Sequence, residues 1–248
     1  MDTYKAEGII LHTEDFGDAN RVVTLFTKEF GKLEVNAYGC RRLKNPLSGA
    51  TQIFNHIAVE LSKGAKVDTI RDADILHFYK NLTADIERLA YAALFFEVVN
   101  RMTLPKLFEP NVFYLLKKSL PVLDERNPQI AALIGICQFL QVSGVQLNFM
   151  DCVFCGEKIE GDAAISLIDG GAICQNCLDL AQEIFSYPEE MRLTLEKMLL
   201  FDWQEKTKLS FKPKQIFASE RFLLRYVHSV IGKELNAVKF LRQLKEFA

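Results

Sequence analysis

The hydrophobic period of this sequence changes near residue 80, and the change divides the 248-residue chain into two kinds of structure. Before it, short runs rich in β-branched residues alternate with polar turns, and Leu33, Val35 and Ala37 alternate with polar neighbours, as in a half-buried strand. Such runs lie at about residues 4–13, 21–27, 32–37, 53–61 and 67–79. Five short strands predict a small barrel, and the OB-fold is the commonest barrel of that size.

From Leu82 onward, apolar residues recur at helical spacing, and Thr83 is in position to cap the first turn. Further helices are predicted near residues 109–123, 128–148, 188–202, 214–231 and 235–246. The fold class is therefore α+β and multidomain. A five-stranded OB-fold domain at residues 1–80, predicted to bind nucleic acid, precedes an α-helical domain at residues 81–248.

Four of the six cysteines lie in the segment CVFCGEKIEGDAAISLIDGGAICQNC, as two Cys-x-x-Cys pairs. Each pair can turn around one ion, and the spacing of the pairs is that of zinc sites. Residues 163–168 and 172–173, with Gly170 and Gly171 between them, predict a hairpin within the segment. We predict one structural Zn²⁺ per chain, in a ribbon inserted into the helical domain at about residues 150–180 and bound by Cys152, Cys155, Cys174 and Cys177. Iron on four sulfurs and a metal-free cluster stay open as alternatives.

The same residues argue against several other classes of protein. The N-terminus has no signal-peptide pattern, so an oxidising compartment and disulfides are not expected. Polar residues interrupt the longest apolar stretch, residues 130–149, so no membrane span is predicted. A closed four-thiolate site has no position for substrate, and the chain carries no P-loop, nucleophile elbow or zincin motif. We expect a cytoplasmic protein that is not an enzyme.

A basic loop, Tyr38–Phe54, joins the third and fourth predicted strands. Arg41, Arg42 and Lys44 lie within four positions, with aromatic residues at both ends of the loop. Arginine forks match phosphate geometry, and cationic grooves with aromatic neighbours are how OB-folds bind single strands. The net charge of −2 argues against unselective coating of nucleic acid but allows such a local surface. A merely solvated charged loop stays open as the alternative.

The last part of the chain is basic: residues 201–248 carry ten Lys or Arg against five Asp or Glu. Phe217, Arg221 and Arg225 recur every four residues on the helix predicted after Pro213, so they lie along one face. Other cations and aromatic residues of this section are Lys206, Lys208, Lys212, Lys214, Phe211 and Phe222. The alternative is that the phenylalanines are core and the charges are solvated.

The segment EDFGDANRVVTLFTKEFGKLEVNAYGCRRLKNPLSGATQIF resembles the N-terminal OB-fold of the bacterial RecO family, and CVFCGEK…DGGAICQNC resembles the zinc motif of many members. The matching elements are the acidic turn, the Thr-Lys-Glu-Phe-Gly-Lys hairpin and the Gly-x-Arg-Arg loop. The sequence departs from the family pattern at Asn45-Pro46. The resemblance covers the chain to about residue 180 and is vague beyond it.

The resemblance implies a recombination mediator that binds single- and double-stranded DNA, anneals complementary strands, and helps RecR load RecA onto DNA coated by single-stranded-DNA-binding protein (SSB). It implies a nucleoid-associated location. Phosphates would be held by Arg41, Arg42 and Lys44, with Arg21, Lys28 and Lys32 extending the surface. The acidic, Phe-ended tail of SSB would bind the helical body, for which the candidates are Lys214, Phe217, Arg221 and Arg225. An interaction scaffold is the alternative function, and the closed site disfavours a metal-dependent hydrolase.

Overall fold

The computed structural model describes residues 2–204 and 210–247. Its packing divides the chain into two compact units. The first comprises Met1–Ala132 and Leu235–Ala248, and the second comprises Leu133–Glu234.

The first unit contains the predicted five-stranded barrel, whose closed order is β1-β2-β3-β5-β4. Its strands are β1 (Thr3–Phe16), β2 (Asn20–Thr27), β3 (Gly31–Ala37), β4 (His56–Ser62) and β5 (Asp68–His77). All neighbouring strands pair antiparallel except β3 and β5, which pair in parallel at Val35–Asp68 and Asn36–Thr69. The alternating apolar residues of these strands form the barrel core, which includes Val23, Leu25 and Ile57. The OB-type barrel that the pattern of five short strands predicts is confirmed.

The basic loop contains a short helix, α1 (Leu47–Ala50), that the sequence did not predict, and β4 begins at His56 rather than Ile53. Phe54, expected as an aromatic flank of the loop, is instead buried, with its ring edge-to-face on Phe96 at 4.9 Å between centroids. Burying the Phe54 ring in the core removes more apolar surface from water than leaving it at the edge of the loop would.

The other helices of the first unit are α2 (Lys80–Ala84), α3 (Ile86–Met102), α4 (Pro110–Glu125) and α8 (Asn236–Phe247), while α5 (Pro128–Val142) runs across the division. Asp85 caps α3 by accepting a hydrogen bond from the Arg88 amide, so Thr83 is not the cap. The carboxylate of Glu97 accepts hydrogen bonds from the Asn236 and Ala237 amides and thereby caps α8.

The second unit contains a small sheet and two further helices, α6 (Glu189–Leu199) and α7 (Pro213–Ile231). The sheet has the order β7-β6-β8, with β6 (Ala163–Ser166), β7 (Gly171–Ile173) and β8 (Ile184–Tyr187). The predicted hairpin is confirmed as β6 and β7, and β8 is an addition that the sequence did not indicate. Within the described parts of the chain, no helix is long and apolar enough to cross a membrane.

Candidate metal centre and nucleic-acid interface

The four predicted metal ligands lie close together in the structure. The Sγ atoms of Cys152, Cys155, Cys174 and Cys177 all lie within 4.8 Å of one another, and those of Cys155 and Cys174 are 3.7 Å apart. A tetrahedral ion with bonds of about 2.3 Å requires sulfurs separated by about 3.8 Å. The donor set is therefore compact enough to hold a tetrahedral metal ion.

Local backbone geometry positions each cysteine pair. In the first turn, the Gly156 amide donates to the Cys152 carbonyl at 2.9 Å, and Gly156 has φ 75°, a conformation that favours glycine. In the second, Cys174 follows β7 and Cys177 lies in a 3₁₀ helix, Gln175–Leu180. The Val153 amide donates to the Ala172 carbonyl at 3.0 Å, which joins the first turn to β7, the strand that leads to Cys174.

The pKa values of Cys152 and Cys177 are shifted in opposite directions. Burial would raise the pKa of Cys152, but backbone amides, led by that of Cys174, outweigh it and lower this pKa to about 6. The pKa of Cys177 rises to about 12, first because of its hydrogen bond with the Cys174 sulfur and also because the Cys152 charge repels a second one. A divalent cation would remove that repulsion, so the cluster is suited to a metal.

The remaining cysteines take no part in this site. Cys137 is buried in α5, and burial strongly raises the pKa of its thiol. Cys40 lies just after β3 and is 1% exposed, within the barrel core. Both are hydrophobic packing residues.

The basic loop presents its cations to solvent. Arg41, Arg42 and Lys44 are all exposed, as predicted for a phosphate-binding surface, and Tyr38 is 55% exposed. The ring of Tyr38 lies edge-to-face with that of Phe16, at 6.1 Å between centroids. One aromatic side chain and three cations are therefore available on this loop.

Asp15, which the sequence did not indicate as a site residue, forms an ion pair with Arg41 of the loop. Its carboxylate pairs with Nε of Arg21 at 2.8 Å and with Nε of Arg41 at 3.1 Å. A hydrogen bond from Arg21, the charge of Arg21 and the charge of Arg41 together lower the pKa of Asp15, while desolvation opposes them. Arg21 also donates from Nη1 to the Thr51 carbonyl at 3.0 Å, so its guanidinium supports the loop from within the molecule.

The remaining two cations of the predicted DNA surface lie at the other end of β3. Lys28 is half-buried in the turn between β2 and β3, and Lys32 follows it at the start of β3. The ammonium of Lys32 donates to the carbonyls of Asn100 at 2.6 Å and Thr103 at 2.5 Å, at the C-terminal end of α3. Burial lowers the pKa of Lys32, against the charges of two glutamates. Seven residues of strand, about 20 Å, separate these lysines from the loop.

The predicted tail-binding residues lie on the exposed face of α7. Lys214, Arg221 and Arg225 are exposed, and Phe217 is 61% exposed, so this phenylalanine is not a core residue. The guanidinium carbon of Arg225 lies 4.6 Å from the centroid of the Phe185 ring, a cation–π contact. Phe222 is 7% exposed and packs against the rings of Phe149 and Tyr187, as the alternative expected. Lys206 and Lys208 lie outside the described residues.

Comparison with known proteins agrees with these features. The family described as "Recombination protein O N terminal" matches residues 1–79, and "Recombination protein O C terminal" matches residues 83–239. Proteins named "DNA repair protein RecO" are similar over nearly the whole chain. That of Bacillus pumilus is 31% identical over 243 residues (97% of this chain, 94% of the relative). That of Halalkalibacterium halodurans is 26% identical over 243 residues (98% and 95%), and one from Bacillus cereus is 28% identical over 244 residues (98% of both).

These matches define a DNA repair and recombination protein. More particularly, the chain belongs to the RecO family, as its N-terminal segment and its ribbon indicated.

Proposed function

We propose that this protein is a DNA-binding recombination mediator. In this proposal it binds single- and double-stranded DNA without sequence preference, anneals complementary strands, and acts with RecR to load RecA onto SSB-coated single strands. Residues 1–80 are the proposed DNA-binding domain, and residues 81–248, with the ribbon, are the proposed body. The proposed location is the cytoplasm, in association with the nucleoid.

The observation that carries the proposal is the cationic loop exposed on a closed barrel. Phosphate contacts give affinity that does not depend on sequence, which a protein acting anywhere on a chromosome requires. Arg41 is suited to this role because its ion pair with Asp15 uses only Nε. No described residue bonds its two Nη groups, which can therefore form a fork for a phosphate.

The proposed phosphate contacts are not equivalent to one another. Arg41, Arg42 and Lys44 are the main contacts in our proposal, with Lys28 as an extension for longer DNA. Arg21 and Lys32 already use their donors inside the protein, and a phosphate would have to compete with those hydrogen bonds. We therefore propose that these two support the DNA-binding surface rather than contribute equally to it.

The proposed metal is Zn²⁺, one per chain, held by the four ribbon thiolates. Four sulfur donors within 4.8 Å of one another suit zinc, whose closed four-cysteine sites are structural. Zinc there would stabilise the fold of the ribbon, because metal binding and local folding are coupled. The proposal includes no catalytic step, since such a site has no open coordination position.

For the SSB tail we propose the exposed face of α7. An acidic peptide that ends in phenylalanine needs cations for its carboxylates and an apolar contact for its ring. Lys214, Arg221 and Arg225 supply the cations, and the exposed ring of Phe217 supplies an apolar contact.

A salt-dependent DNA titration tests the central proposal. We expect the double variant Arg41→Ala/Arg42→Ala to weaken binding of fluorescent oligonucleotides of unrelated sequence to a similar extent. Each lost phosphate contact on a single strand should reduce the slope of log affinity against log salt by about 0.7. The double variant Lys80→Ala/Lys118→Ala removes two exposed cations elsewhere and should leave the slope unchanged. Equal slopes for all three proteins would leave the loop as a solvated surface and favour an interaction scaffold.

A further inference from the structure

Leu43 is the most exposed large apolar side chain among the described residues, at 98% of its full accessible area. An isolated exposed leucine is not unusual on a protein surface. Its position is unusual, because it lies between Arg42 and Lys44 at the apex of the basic loop, where each neighbouring side chain is charged and also exposed.

Hydrogen bonds hold the loop in this shape. The Arg42 amide donates to the Gly39 carbonyl at 3.0 Å, and the Asn45 amide donates to the Arg42 carbonyl at 3.1 Å. The side chain of Asn45 adds two more bonds, to the Gly39 carbonyl and from the Leu47 amide, both at 2.9 Å. These bonds close consecutive tight turns around the apex, so the backbone that carries Leu43 is defined on both sides.

The backbone at the apex also adopts an uncommon conformation. Lys44 has φ 69°, in the left-handed region that residues other than glycine rarely occupy. Such a conformation persists only where the surrounding bonds determine it, and those of Asn45 do so here. The loop is therefore built so that Leu43 points outward, instead of folding the side chain back onto the barrel.

We propose that Leu43 inserts between neighbouring bases of the bound DNA, while the cations on either side of it hold the phosphates. The inference rests on the proposed DNA-binding function of the loop and adds a base contact to it. Apolar side chains such as leucine do enter base steps and partly unstack them in architectural DNA-binding proteins. The exposed ring of Tyr38, at the start of the loop rather than at its apex, provides a second surface on which a base can stack.

Insertion has a consequence that phosphate binding alone lacks. It separates bases that were stacked, and the base contact is apolar, so it is insensitive to salt. Burying a leucine that is fully exposed in the free protein is favourable, and part of this free energy is used to separate the stacked bases. The remainder gives up to about a tenfold gain in affinity. The charged contacts determine the salt slope, and Leu43 determines the unstacking.

The test uses the full chain and oligonucleotides that carry 2-aminopurine, whose fluorescence rises when it is unstacked from its neighbours. We expect binding of the wild-type protein at saturation to raise the fluorescence of an internal 2-aminopurine in single-stranded DNA. Leu43→Ala should abolish most of the rise and weaken binding about three- to tenfold, with the salt slope unchanged. Leu43→Met keeps an apolar chain of similar volume and should retain the rise. Leu200→Ala, a matched change at a leucine that is 77% exposed in the second unit, should behave as the wild type.

The outcomes separate this inference from the function on which it rests. Wild-type protein that binds DNA without a fluorescence rise, or with the same rise in Leu43→Ala, overturns insertion and leaves phosphate binding intact. A wild-type protein that binds no DNA in the salt titration overturns both.

Discussion

Lys32 provides a sharp test of how the fold uses its cations. The family resemblance implies that this lysine extends the DNA-binding surface, whereas in the structure its ammonium donates to two backbone carbonyls, those of Asn100 and Thr103. These carbonyls belong to the end of α3, where helix carbonyls have no partner within the helix and carry the negative end of its dipole. We therefore predict that replacing Lys32 destabilises the first unit and leaves DNA binding nearly unchanged.

The suitable change is Lys32→Met, which keeps the apolar stem and removes the charge. A hydrogen bond from a charged donor contributes about 1.5–3 kcal/mol. Two are lost here, but the burial that lowers the pKa of this ammonium offsets part of their contribution. We expect a net loss of about 2 kcal/mol in the free energy of unfolding, which corresponds to a fall of about 5 °C in melting temperature for a chain of this size.

Thermal and urea unfolding followed by circular dichroism measure this loss, and the DNA titration is repeated on the same protein. Lys5→Met, at an exposed lysine of β1, is the matched control and should change neither quantity. A Lys32→Met protein that melts with the wild type and shows a smaller salt slope for DNA would refute the reasoning, because Lys32 would then act on phosphate.

Three other outcomes are expected. Cys152→Ser should lose the zinc ion that we propose for the ribbon, as measured by elemental analysis, and lower the melting temperature, because metal binding and folding are coupled. A variant that retains stoichiometric zinc would contradict this. Burial would raise the pKa of Glu7, but hydrogen bonds from Lys117 and His56, each 2.7 Å long, outweigh it and lower that pKa. The folded-state pKa of Glu7 lies below its unfolded-state pKa. The stability that these hydrogen bonds contribute is therefore fully present above the unfolded-state pKa and is lost as the pH falls through the folded-state pKa. Glu7→Gln should accordingly lose less stability than the wild type on acidification below about pH 4.5. Arg221→Glu should weaken binding of a labelled SSB tail peptide without changing affinity for bare oligonucleotide, and equal peptide affinity would place the tail site elsewhere.

Sequence reasoning succeeded where the determining interactions are local. The alternation of Leu33, Val35 and Ala37 reports a strand with one buried face, and the structure buries all three in the barrel. The two Cys-x-x-Cys turns each need only a few neighbouring residues to form, so their geometry follows directly from their spacing. The hairpin between them follows from turn chemistry at Gly170, which has φ 88°.

Sequence reasoning failed where a side chain contacts a part of the chain that is distant in sequence. The acceptors of Lys32 are 68 and 71 positions away, and no local pattern indicates them. Phe54 was expected at the edge of the loop because it follows a basic segment, but its ring packs edge-to-face on that of Phe96 in α3. The position of α3 on the barrel determines both outcomes, and it is set by the packing of the whole unit.

Arg21 and Arg41 show why residue type alone does not define a phosphate-binding surface. Both pair with Asp15 through Nε, and both were predicted to contact DNA. Arg21 donates in addition to the Thr51 carbonyl, and its side chain is 14% exposed, whereas that of Arg41 is 39% exposed. The guanidinium group has five donors in a rigid plane, so the number already used inside the protein decides how many remain for a ligand. Arg21 uses its donors on Asp15 and on the Thr51 carbonyl, so it holds the loop in place. Asp15 orients Arg41 through Nε, and the Nη groups of Arg41 remain available to phosphate.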